Sequence, residues 1–381
     1  MEFRDLKKQY QYMKPEIDSA VTDVMTNGSF IGGSIVTELE EQLADYVGVR
    51  HCISCANGTD ALQLALMAWG IGKGDAIFVP DFTFFSSGEV VSAVGATPVF
   101  VDITERTFNI STDSLEIAIK RVMAETDLKP RVVVAVDLFG QPAEHEKIRE
   151  IADKYNLLVL EDGAQAFGGS INGKKTCSFG DIGTTSFFPA KPFGCYGDGG
   201  AVFTDSDEWD SLIRSYKVHG KGRDKYDNVR IGMNSRLDTM QAAILKVKLK
   251  HFKEHELADV NSVANMYDEK LGVSGIVSSR IKCPLILDGY ESSWAQYTIL
   301  LDSEEQRNDL QIRLKENGIP AMIYYPKGLS KQKAFQNQSI AYAVTNSERI
   351  SKTCISLPMG PYIEKTDVEQ ACMKVCCRMG H

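Results

Sequence analysis

The strongest constraint on this chain is its repeated alternation between short apolar runs and stretches of helical periodicity. The apolar runs are AIFVP (76–80), TPVFVD (97–102), RVVVAVDLF (131–139), LLVLED (157–162), TTSFF (184–188) and GAVFT (200–204), with a further short strand at 51–55. Runs that are apolar at consecutive positions suit strands buried on both faces, and the intervening helices supply the cover. The pattern therefore predicts an α/β fold around a large, mainly parallel sheet.

Helices are expected at 14–28, 36–48 and 59–69; in the first of these Ile17, Ala20, Val21, Val24 and Met25 recur at three- and four-residue spacing, and Gly28 can end it. After a helical stretch near 236–270 the strand-like runs shorten, with helices near 304–317 and 364–378. This divides the chain into a large α/β domain with an N-terminal helical segment over residues 1–249 and a small C-terminal α+β domain over 250–381.

The 381 residues carry 42 Lys and Arg against 51 Asp and Glu, a net charge of −9. No general positive field is available to hold nucleic acid or an anionic membrane surface. The start, MEFRDLKKQYQYMKPEID, lacks the apolar centre of a signal peptide, and runs such as Val132–Val136 are far too short to span a bilayer. A cytoplasmic location is expected. The nine cysteines, odd in number and scattered, read as reduced thiols.

No metal site is expected. Cys52 and Cys55 form one CxxC without the second pair of a zinc ribbon, and His251 and His255 lack the glutamate of an HExxH motif, so a solvated helix face is the simpler reading. Two glycine patterns also fail on context. FGGSINGKKT places Lys175 where a P-loop needs Ser or Thr, and its Asn172-Gly173 reads as a hairpin turn; Gly70, Gly72 and Gly74 follow a helix rather than a strand.

Ligands of open parallel sheets bind beyond the carboxyl ends of the strands. Here those ends read Ala56-Asn57-Gly58-Thr59-Asp60, Asp81-Phe82-Thr83-Phe84, Glu161-Asp162-Gly163-Ala164-Gln165 and Pro189-Ala190-Lys191-Pro192. Each has an ordinary structural explanation. Thr59 could cap a helix, Asp162 could do the same, a lone lysine is usually a solvated handle, and Asp198-Gly199 reads as the tight turn of a hairpin. Together they gather a helix N-terminus fit for phosphate, an aromatic ring, a carboxylate and a lysine whose backbone is restrained by the following proline. Pyridoxal phosphate chemistry needs that set: a lysine for the Schiff base and an acid to pair with the pyridine nitrogen.

The strings ANGTDAL (56–62), PDFTFF (80–85), EDGAQAFG (161–168), SFFPAKPFGCYGDGGAVFT (186–204) and NSRLDTMQAAIL (234–245) resemble, from end to end, the DegT/DnrJ/EryC1/StrS sugar aminotransferases. The resemblance implies the fold type I architecture of pyridoxal phosphate (PLP) enzymes, with Lys191 as Schiff-base and proton-shuttle residue. It also implies that Asp162 holds the pyridinium nitrogen, Gln165 bonds the ring oxygen and Phe84 stacks on the ring. Gly58, Thr59, Asp60 and Ser186 would bind the phosphate, with Asn234 reaching the phosphate of a neighbouring subunit, which requires a homodimer with shared active sites.

Arg236, Tyr324 and Tyr325 match positions near the sugar; many relatives have His where Tyr324 stands. The run through Lys191 and the NSRLDTMQAAIL string resemble most the members that aminate a UDP-linked 3-keto N-acetylglucosaminuronate for surface polysaccharide, with L-glutamate as donor and the PLP/PMP pair as carrier. A PLP-dependent nucleotide-sugar dehydratase or lyase is the second reading, and a non-catalytic regulatory relative the third. Retention of lysine at 191 favours transamination.

Overall fold

The computed structural model describes residues 1–224, 226–272 and 281–376. The chain runs α1 (Leu6–Asn27), α2 (Ser34–Val47), β1 (His51–Cys55), α3 (Gly58–Ala68), β2 (Asp75–Pro80), α4 (Ser86–Ala93), β3 (Thr97–Val101), α5 (Thr112–Glu125), β4 (Lys129–Val136), α6 (His145–Tyr155) and β5 (Leu158–Asp162). There follow β6 (Ser170–Ile171), β7 (Lys174–Lys175), β8 (Ile182–Ser186), β9 (Gly200–Thr204), α7 (Asp207–Tyr216), α8 (Thr239–His251), a π turn at Phe252–Glu256 and α9 (Leu257–Gly272). The remainder is β10 (Ile281–Lys282), β11 (Tyr290–Glu291), β12 (Tyr297–Leu301), α10 (Glu304–Glu316), β13 (Ile340–Ala341), α11 (Thr345–Thr353), β14 (Cys354–Leu357) and α12 (Lys365–Cys376).

Eight strands form the central sheet in the order β1-β9-β8-β5-β4-β2-β3-β13. From β8 to β13 every pairing is parallel, as the continuous apolar runs predict, while β9 runs antiparallel to both β8 and β1. Strand alternation divides the core. Ile77, Val79, Val132 and Val134 face the side covered by α3, α4 and α7, whereas Ala76, Phe78, Val133 and Ala135 face α5 and α6. A separate three-stranded sheet, β10-β12-β14, is antiparallel and packs on α9, α10 and α12.

Two local expectations change. Helix α1 begins at Leu6 under an Asp5 cap and carries Pro15 in its interior, because Gln9, Met13 and Ile17 are buried on one face and that burial outweighs the proline's cost. Strands β8 and β9 do form a hairpin, but its connection is the long loop 187–199 rather than a tight turn at Asp198-Gly199; neither residue has a positive φ. The predicted turn at Asn172-Gly173 does join β6 to β7, both residues having positive φ. The helix expected at 364–378 is seen as far as Cys376; its last two positions lie outside the described residues.

His251 and His255 are not a solvated face. Both stack against Tyr12 of α1 and pair with carboxylates, His251 with Glu16 and His255 with Asp259, each at 2.8 Å. Among the described residues the cysteines form no disulfide. Among the described residues no helix is long and apolar enough to cross a membrane.

Candidate active site

The carboxyl ends of β5 and β8 and the N-terminus of α3 meet at a cavity of about 670 Å³. Ten sequence-predicted residues line it: Gly58, Thr59, Asp60, Phe84, Asp162, Gln165, Ser186, Lys191, Tyr324 and Tyr325. The other two, Asn234 and Arg236, do not. They lie exposed on an extended segment on either side of Ser235, which is fully buried and accepts a hydrogen bond from the Ala56 N–H at 3.1 Å. That bond ties the segment to the start of α3 while the alternation of an extended chain turns its neighbours outward.

At one end of the cavity α3 opens at Gly58. The Asn57 side chain caps the helix by accepting from Asp60 N–H at 2.8 Å, which leaves the N–H groups of Gly58 and Thr59 without an intrahelical partner. A Cβ on Gly58 would stand 2.7 Å from that of Ser186, so only glycine lets the helix start approach the end of β8 this closely. Thr59 and Ser86 hydroxyls meet at 2.7 Å. Unpaired N–H groups, hydroxyls and the positive end of a helix form a phosphate cradle.

Asp162, which lines the same cavity and is only 5% exposed, accepts a hydrogen bond from Ser87 Oγ at 2.7 Å and a longer one from Ala164 N–H at 3.3 Å. Burial raises its pKa above the usual carboxylate range, opposed by the Ser87 bond and by the charge of Lys191. The same desolvation lowers the Lys191 pKa, with Asp162 acting against it. Lys191 Nζ stands 6.0 Å from the centre of the Phe84 ring. Gln165 Oε1 accepts from Phe139 N–H at 2.8 Å, and its amide donates to the Tyr325 hydroxyl at 2.9 Å, so one donor hydrogen of that amide remains for a ligand. The amine, carboxylate, half-exposed ring and phosphate cradle fit PLP in size and chemistry.

Sequence reasoning missed Ser87 and the Tyr325–Gln165 bond. Ser87 lies just past PDFTFF, and nothing in its local pattern marks a hydroxyl that reaches across 75 positions. Behind the site, Asp137, His145 and Glu161 form a fully buried polar cluster: His145 Nε2 is 2.8 Å from Asp137 and 4.0 Å from Glu161. Glu161 accepts backbone N–H bonds from Cys177, Phe179 and Gly180, and the Asp137 N–H donates to the Asp162 carbonyl at 3.0 Å.

The fold and this cavity define an aminotransferase. The chain belongs to the DegT/DnrJ/EryC1/StrS aminotransferase family, which it matches over residues 11–376. A Pseudomonas aeruginosa UDP-2-acetamido-2-deoxy-3-oxo-D-glucuronate aminotransferase is 43% identical to it across 98% of both chains. A crystal structure of a DegT/DnrJ/EryC1/StrS aminotransferase from Brucella abortus superposes with a TM-score of 0.95 at 42% identity over the whole of both chains. A Bacillus subtilis protein crystallised with PMP superposes with a TM-score of 0.87 at 28% identity, covering 95% of this chain and 81% of that one.

Proposed function

We propose that this enzyme moves the amine of L-glutamate onto the keto carbon of a UDP-linked 3-keto N-acetylglucosaminuronate, supplying an amino sugar for surface polysaccharide in the cytoplasm. PLP is its cofactor, and when bound supplies an electron-withdrawing ring that makes the hydrogen on an amine-bearing carbon acidic. The observation that carries the reading is one cavity lined by the Lys191 amine and the Asp162 carboxylate, both desolvated, and by the N-terminus of α3.

Lys191 is the residue that would hold the cofactor, and its amine would serve as the base and acid that moves a proton at the substrate carbon. Its lowered pKa keeps part of it in the free-amine form that this work requires. Asp162, whose ionised form the Ser87 hydrogen bond and the Lys191 charge favour against burial, would pair with the pyridine nitrogen. Gln165 donates to the ring oxygen, and Phe84, 53% exposed, offers a face for the ring. Gly58, Thr59, Asp60 and Ser186 hold the phosphate. Tyr324 and Tyr325 bound the sugar side of the cavity, and the Tyr325 phenol, its pKa pushed up by burial, remains a neutral donor and acceptor.

Asn234 and Arg236 act in a homodimer, Asn234 on the phosphate in the neighbouring subunit and Arg236 on the sugar carboxylate. Their segment supports this: Val229 and Ile231 are 54% and 90% exposed, and Phe30 and Ile31, which bond to Thr239 and Asp238, are half exposed beside them. Apolar surface of this kind marks an interface.

The test supplies purified enzyme with L-glutamate and a panel of UDP- and dTDP-linked keto sugars, reading products by mass spectrometry and 2-oxoglutarate by coupled assay. The aminated uronate with equimolar 2-oxoglutarate is expected. A deoxy sugar formed without 2-oxoglutarate would assign a dehydratase, and amination of neutral sugars alone would remove the uronate. Arg236→Ala should cost the uronate about ten- to a hundredfold in kcat/KM and a neutral keto sugar less; equal loss on both would refute the carboxylate contact.

A further inference from the structure

Lys191 sits in a loop, Phe187–Gly199, without regular secondary structure, although its amine must be placed to a fraction of an ångström. Within the loop, Lys191 N–H donates to the Phe188 carbonyl at 2.9 Å, Cys195 N–H to the Phe187 carbonyl at 2.7 Å, Phe187 N–H to the Gly199 carbonyl at 2.8 Å and the Cys195 thiol to the Gly197 carbonyl at 3.2 Å. Beyond that, its carbonyls just after Lys191 are held by cations from distant parts of the chain. Arg4 Nη2 donates to the Pro192 carbonyl at 3.3 Å, and Lys248 Nζ donates to the Gly194 carbonyl. Gln241, two helical turns before Lys248 on the same face of α8, accepts from Tyr196 N–H at 2.9 Å and donates to its carbonyl at 3.4 Å.

Lys248 is 1% exposed in the last turn of α8, and burial there is costly for an ammonium. Among the described residues no carboxylate pairs with it directly. Its second bond goes to Gln9 Oε1 at 2.7 Å, and the Gln9 amide donates in turn to buried Glu256 Oε1 at 2.8 Å, so the counter-charge is delivered through α1. The Tyr196 ring lies 5.0 Å from Nζ on another side. Burying a neutral apolar side chain here would avoid the desolvation cost; what the ammonium adds is a strong, directional grip on the loop carbonyl.

We propose that Lys248, assisted by Arg4, is a positioning residue for Lys191, fixing the loop from behind so that the amine is presented to the cofactor. This rests on the reading that Lys191 carries the cofactor. Both cations reach the loop within three residues of Lys191, from elements that are not its sequence neighbours. Neither lines the cavity, so each acts only through the loop.

The test uses full-length, PLP-loaded Lys248→Met and Arg4→Met, with Arg4→Lys as the conservative control. Glutamate half-reaction kinetics and amide exchange at Lys191 and Cys195 are the readouts. Lys248→Met should lower kcat about tenfold or more with KM changed less than about twofold, and Arg4→Met should follow with a smaller loss that Arg4→Lys largely restores. Exchange at the two amides should rise in step with the loss of kcat. Folded variants with wild-type kcat and exchange overturn the proposal, even if their melting temperature falls. Should Lys248→Met not fold, an Arg4→Met enzyme with wild-type kcat and exchange overturns it equally. Failure of borohydride to fix PLP to Lys191 in the wild-type protein would instead refute the functional reading.

Discussion

Replacing Ser87 with alanine isolates what orients Asp162. The hydroxyl is 1% exposed and donates to Asp162 Oδ2 at 2.7 Å, the shorter of the two bonds the carboxylate receives. A hydrogen bond to an ionised, buried group contributes about 1.5–3 kcal/mol. The Ala164 N–H at 3.3 Å is too long to take over that share, and the Thr83 hydroxyl, 3.2 Å from Ser87, bonds Ser87 rather than the carboxylate. Ser87→Ala therefore raises the Asp162 pKa further above its already elevated position and frees its rotamer. On the proposed pairing of Asp162 with the pyridine nitrogen, a less ionised carboxylate would leave that nitrogen less protonated and slow proton removal from the amine-bearing carbon. The expected effect is a fall of about ten- to a hundredfold in kcat for the glutamate half-reaction, with KM and PLP content little changed, since Ser87 is not among the residues lining the cavity. Stopped-flow absorbance of PLP conversion to PMP measures it, with Asp162→Asn as the lower reference. A Ser87→Ala enzyme that converts at the wild-type rate would refute the claim that this bond sets the state of Asp162.

Gly58→Ala places a methyl 2.7 Å from Ser186 Cβ and should force α3 away from β8 at a cost of about 1–3 kcal/mol, seen as weaker PLP binding in an absorbance titration; unchanged affinity would show that the cradle tolerates the shift. Burial pushes Asp137 up to about 8, far above its unfolded value near ~3.9, so the folded state keeps a proton that the unfolded state loses. Stability contributed this way is complete below pH ~4 and declines as pH rises toward 8. Asp137→Asn cannot titrate and should lessen the fall in urea midpoint between pH 5 and pH 8, leaving the part due to Glu161, itself raised to about 7; an identical fall in variant and wild type would remove Asp137 as a cause.

Much of the sheet was legible because residues such as Val132–Val136 are apolar at every position, a signature of burial on both faces. The strand's own residues did not give direction: GAVFT is as apolar as its parallel neighbours, and the antiparallel course of β9 was signalled only by the hairpin expected before it, whose turn the structure replaces with a long loop. Strand β13, two residues beside β3, carries no periodic signal at all. The site was legible where strand-end geometry concentrates chemistry, at Asp162, Lys191 and the Gly58 turn. Ser87, Lys248 and Arg4 escaped because their importance lies in long-range contacts, and in sequence they look like an ordinary helix start, a helix-surface lysine and a terminal arginine. Asn234 and Arg236 were named by resemblance alone; no local pattern marks them, and they lie exposed, outside the cavity, a few residues from exposed Val229 and Ile231.

The central claim is that PLP is bound through Lys191 in this cavity. Reduction of the yellow, PLP-loaded protein with borohydride, followed by protease digestion and mass spectrometry, tests it in a single step. The account predicts one phosphopyridoxyl adduct, on the peptide that contains Lys191, and its loss in Lys191→Ala. An adduct on any other lysine of the wild-type protein, or a colourless protein that takes up no PLP, would contradict it.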